Sequence, residues 1–141
     1  MLQDDFKMTG RLSIAINDEV VQEVKNLVVT SGKSFVASRM KDATAGAMSH
    51  MAVGTGSSAA AAGNTALGSE VDRNALASTT VTGTDIAYVA TFAAGEGTGA
   101  LTEAGLFNAG SSGTMLCRTV FAVVNKGVAD SMTITWTVTV S

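Results

Sequence analysis

The stretch from Met132 to Val140 constrains this chain more than any other. Met132, Ile134, Trp136, Val138 and Val140 alternate with Thr133, Thr135, Thr137 and Thr139. Strict period two is the repeat of a strand with one face buried and one wet, and every residue of the polar face is β-branched. A helix would scatter the same positions around its circumference. The chain is therefore expected to be mainly β.

The same period recurs upstream. Leu12, Ile14 and Ile16 alternate with Arg11, Ser13 and Ala15. Asn17-Asp18-Glu19 is turn chemistry, and an apolar run resumes from Val20 to Val29, ending at Thr30-Ser31-Gly32. This predicts a hairpin. Ser34 to Thr44 is the best helix candidate, with Ser34 as its cap and Phe35, Val36, Arg39 and Met40 at spacings near three and four. His50 to Gly56 reads as a short strand, and Ser57 to Gly63 (SSAAAAG) as a loop. Asn64 to Asp85 is weakly patterned and admits only short strands.

Ile86, Tyr88, Ala90 and Phe92 alternate again, and Gly95 to Gly99 is a turn. Leu101 to Asn108 reads as a strand in which Gly105 signals a bulge or a close backbone approach. After the Gly110 to Gly113 turn, Met115 to Val124 is apolar on both faces, as in a central strand. Asn125-Lys126-Gly127 then turns the chain.

Short strands punctuated by glycine turns imply an antiparallel β-sandwich, jelly-roll-like, with one short helix near residues 34–44. A single sandwich domain is expected over 10–141. Residues 1–9 form an arm whose Leu2, Phe6 and Met8 are candidates for contact with a partner. There is no proline anywhere, so no sheet edge is guarded that way. Edges then need a loop, the arm or another subunit.

Composition points to assembly. The chain is 46 % hydrophobic and only 15 % charged, and such a surface keeps solubility best when copies or partners cover part of it. Net charge is −3 and the nine Lys/Arg are scattered singly, which argues against direct nucleic-acid binding. No apolar run is long enough to span a membrane, and the first ten residues lack a secretory h-region. Synthesis and assembly in the cytoplasm are expected. Cys117, the single cysteine, excludes an internal disulfide and reads as a buried thiol.

Reactive constellations are scarce. His50 is the one histidine, so no histidine metal cluster can form within a chain. No G-x-S-x-G elbow or Walker loop is present. Glu96 and Glu103 are the minimum pair for glycoside hydrolysis, but Glu96 lies between glycines in a turn. An aromatic sugar-binding face is disfavoured because Trp136 points inward by alternation. No catalytic, cofactor-binding or metal-binding residues are expected, no cofactor either, and the chain is read as not an enzyme. A buried Glu103 would need a partner, and Arg118 is the candidate for a structural ion pair.

Four segments carry a resemblance: Met51-Ala-Val-Gly-Thr-Gly56, Thr65-Ala-Leu-Gly-Ser-Glu-Val-Asp-Arg73, Tyr88 to Glu96 and Leu101-Thr-Glu-Ala-Gly-Leu-Phe-Asn108. Their order resembles the N-termini of phage tail-collar fibre proteins, and also small phage structural proteins including capsid cement, or decoration, subunits. The likeness covers about Met51 to Val140. Unlike the fibre family, the sequence shows no heptads, collagen-like repeat or tip. The resemblance implies a virion protein. The leading expectation is a capsid decoration protein, a homo-oligomer expected to be trimeric, on the outer shell and bridging major capsid subunits. The alternative is a tail, collar or baseplate adaptor.

Overall fold

The computed structural model describes residues 7–41 and 46–141. Nine strands and one helix follow in the order β1 (Met8–Ile16), β2 (Glu19–Val28), α1 (Thr30–Lys41), β3 (His50–Gly54), β4 (Glu70–Ala75), β5 (Ser78–Thr82), β6 (Asp85–Phe92), β7 (Gly99–Phe107), β8 (Met115–Lys126) and β9 (Met132–Val140). All pairings are antiparallel. The strand order β4-β3-β7-β8-β2-β1-β9-β6-β5 curls into a half-barrel of the sandwich class.

Two half-sheets make up the curl. β5, β6, β9, β1 and β2 form one; β4, β3, β7 and β8 form the other. They join where the end of β2 meets the start of β8, through Leu27↔Arg118 and Val28↔Cys117 alone. Beyond that point side chains bridge the splay. Thr119 Oγ1 donates to Lys25 O at 2.8 Å and Gln22 Nε2 donates to Ala122 O. At the far side the chain steps directly from β4 into β5. There the Leu76 amide bonds Ser49 O at 2.9 Å and the Ala77 amide bonds Val89 O at 2.7 Å.

β9 is central to its half-sheet because its alternation suits it. Ile134 and Trp136 are fully buried, and β9 pairs β1 on one side and β6 on the other. Leu12, Tyr88, Ala90, Phe92, Leu106, Cys117 and Phe121 join the same core. β1 starts at Met8, earlier than the alternation suggested. Met8 pairs Val140 and packs on the core instead of belonging to a free arm. Lys7 and Ser141 exchange both backbone bonds. Leu2 and Phe6 lie outside the described residues.

The β1–β2 turn is the two residues Asn17 and Asp18, at φ 49° and 68°. Asx residues tolerate this left-handed pair better than others do. Asn17 also clamps the β8–β9 loop, donating to Asp130 Oδ1 and accepting from the Ser131 amide, both at 3.0 Å.

The helix begins at Thr30, four residues before the expected Ser34 cap, and its described part ends at Lys41. Gly32, which looked like turn punctuation, lies inside its first turn. A Cβ there would meet Leu116 O at 2.1 Å, so the glycine lets α1 lie directly against the backbone of β8. The expected segment 42–44 lies outside the described residues. No helix among the described residues is long and apolar enough to cross a membrane.

Candidate functional site

The densest polar cluster lies on the outer face of the β3-β7-β8 half-sheet, beneath the loop running from Thr55 to Ser69. β7 supplies Glu103 and β8 supplies Arg118. The two are diagonal neighbours, since Glu103 faces Val120 and Arg118 faces Gly105 in the register. Both are buried, at 0 % and 2 % exposure. Burial of this kind is tolerable only when every polar atom is satisfied.

Glu103 is satisfied from two directions. Its Oε2 accepts the amides of Gly56 and Ser69, each at 2.7 Å. Its Oε1 accepts the Gly68 amide at 2.8 Å, Arg118 Nη2 at 2.9 Å and Arg118 Nε at 3.1 Å. Arg118 also donates to Asn64 Oδ1 at 3.0 Å and to Ser58 O at 3.1 Å. The pair therefore pins the loop at its start, middle and end. Burial alone would raise the Glu103 carboxyl. The bonds from Ser69, Gly68, Arg118 and Gly56 outweigh that and hold it below the usual carboxylate range.

The glycines have a steric reason to be there. A Cβ on Gly56 would sit 2.4 Å from Glu103 Oε2, and one on Gly54 would sit 2.7 Å from it. The carboxylate thus fits against bare backbone, where amides can reach it.

The remaining motif residues extend the same face. Leu67 joins Val29, Ala52, Phe107 and Met115 in a second, smaller core under the loop. Arg73 lies 3.8 Å over the Phe107 ring. It also pairs with Glu70 through Nη2–Oε1 at 2.7 Å and Nε–Oε2 at 3.2 Å, and donates to Ala109 O and Ser112 O. At Gly105 a Cβ would meet Leu67 Cδ2 and Phe107 Cε2, each at 3.0 Å. The register of β7 shifts on both sides of it. Three of the four sequence segments thus converge on one buried lock. The sequence pointed to Glu103 and Arg118 but not to Asn64, Ser58 and the backbone donors, which carry no signature of their own.

The other singled-out residues lie elsewhere. Glu96 is exposed and caps its own turn, accepting the Ala93 amide at 2.8 Å and Asn74 Nδ2 at 3.3 Å. His50 Nδ1 lies 2.7 Å from Ser49 Oγ. Burial pushes the Cys117 thiol well up. Tyr88 is pushed up to about 12 by burial and by Cys117. Among the described residues no group of His, Cys, Asp and Glu is placed to hold a metal ion.

Chemically the cluster is closed. A carboxylate that already accepts five donors and resists protonation is poorly suited to general acid catalysis. Its arrangement suits fastening a loop. No family model, curated protein or solved structure matches the chain.

Proposed function

We propose that this chain is a non-enzymatic structural subunit of a phage particle, and specifically a capsid decoration protein that binds the outer shell and bridges major capsid subunits. The observation that carries the reading is the convergence of the virion-like segments on the Glu103–Arg118 lock. Residues that resemble phage structural proteins here hold a rigid loop over a sheet. The low charge adds support, as do valines exposed at positions 20, 21, 123 and 128. Mass action supplies the mechanism. A subunit that binds only the assembled lattice stabilises it by its binding free energy, repeated at every equivalent site.

The tail-collar likeness of the same segments favours a second reading, an adaptor in the tail, collar or baseplate. Copy number separates the two. Quantitative densitometry of purified particles is expected to show the chain at a level comparable with the major capsid protein. A level comparable with tail proteins selects the adaptor, and absence from particles overturns both.

A further inference from the structure

The two margins of the sheet are unlike. β4 carries Glu70, Asp72 and Arg73, and Arg73 is tied down by its own network. β5, at the opposite margin, is Ser78-Thr-Thr-Val-Thr82, with all five residues exposed. It pairs with β6 in unbroken register and with no other strand among the described residues. It has no charge, no proline and no bulge within it. Those are the usual devices that keep a free edge from recruiting another strand.

Its backbone has a definite polarity. Thr82 and Asp85 close the two-residue turn Gly83-Thr84, and such a closing pair exchanges both backbone bonds. Ser78, Thr80 and Thr82 therefore commit their backbone groups to β6, while Thr79 and Val81 direct theirs outward. The side chains of Thr79 and Val81 line the inner surface, at an apolar recess of about 440 Å³ between β5, β6 and α1. Val81 is 68 % exposed there, and Met40 across the recess is 81 % exposed.

We propose that a second copy of this chain adds its β5 to this edge, antiparallel about a two-fold axis at Thr80. The edge is its own complement. In that register Thr79 of each copy faces Val81 of the other, so the residues with outward-directed backbone groups bond each other in both pairs. Charge favours a copy of the same strand. β5 opposes no like charges when paired with itself, whereas the same operation on β4 about Asp72 would set that carboxylate against its own image. The pairing also brings both recesses together and covers the two Val81 side chains. A five-residue edge falls short of the roughly 1,200 Å² that lasting interfaces bury, so the contact is weak between free molecules and strengthens where copies are held close. Within a trimeric subunit it would link one trimer to the next. The inference stands whether or not the chain is a virion protein.

The test is Thr80→Cys. A non-hydrogen-bonded antiparallel pair places its Cα atoms about 4.5 Å apart, within the span a disulfide bridges, and the buried Cys117 does not compete. Mild oxidation is expected to yield roughly tenfold more linked dimer from Thr80→Cys than from Thr91→Cys, which lies on the same outer face away from the edge. Adding Val81→Pro should abolish the excess with the circular dichroism spectrum unchanged. In sedimentation runs the wild type should self-associate with rising concentration, and Val81→Lys should stay monomeric. Equal cross-linking by the two cysteine variants overturns the proposal. So does a wild type that remains monomeric at millimolar concentration, or a Thr80→Cys chain that links only to a different polypeptide.

Discussion

Arg118 on β8 reaches diagonally past its register partner Gly105 to Glu103 on β7, closing at 2.9 Å beneath the Thr55–Ser69 loop. Removing either partner leaves the other buried and unpaired. Glu103→Ala and Arg118→Ala should each cost about 3–5 kcal/mol, lowering Tm by on the order of 10 °C for a domain of this size. Unchanged melting in both variants would refute a structural role for the pair.

The glycine cradle makes a sharper claim. Gly56→Ala pushes a methyl group into the Glu103 carboxylate and should destabilise by about 1–3 kcal/mol, as overpacking does. Gly63→Ala, in the same loop but with open space around it, should be neutral or stabilise by up to about 1 kcal/mol. Thermal melts of the two variants side by side decide it.

Acid should reveal the same cluster. The Glu103 carboxyl is held below its unfolded value, so its contribution is complete above the ordinary carboxylate range and is lost as pH falls through the lowered folded value. Urea midpoints should therefore drop between pH 6 and pH 3 more steeply for the wild type than for Glu103→Gln. Parallel curves would contradict the assignment.

Cys117 is fully buried and its thiol is pushed up, so little thiolate exists at neutral pH. A thiol-reactive dye should leave the native protein unlabelled and modify it fully in guanidinium. Rapid labelling of the native protein would mean that the β2–β8 seam opens.

Arg73 joins Glu70, Phe107 and the turn carbonyls of Ala109 and Ser112. Lysine cannot reproduce that planar fork. Arg73→Lys should speed amide exchange across residues 109–113 while costing about 1 kcal/mol of global stability. Exchange that stays unchanged would show the turn to be held by other means.

Much of this was legible in the chain, and the exceptions have physical causes. β9 and β8 announced themselves because burial on one or both faces writes itself into residue type at period two. The Glu103–Arg118 pair could be read because a buried carboxylate demands a cation. The helix start could not, because Gly32 permits a close approach rather than a turn, and that reason lies in Leu116, far along the chain. β4 and β5 were faint because marginal strands bury little and so leave little pattern. Met8 looked like part of an arm because only its pairing with Val140 makes it a strand residue.

β8 and β9 are consecutive in the chain, yet the β1–β2 hairpin lies between them in the sheet. β1 and β2 must therefore wait for β9, since β1 finds its second neighbour only when residues up to Val140 are available. Assembly of the sheet cannot advance stepwise with synthesis, and non-local pairings of this kind place folding toward the slow, millisecond-to-second end of the range. During that interval the half-made curl exposes Ile14, Leu12 and the bare flank of β1. Removing β9 should accordingly yield aggregates rather than a smaller folded protein.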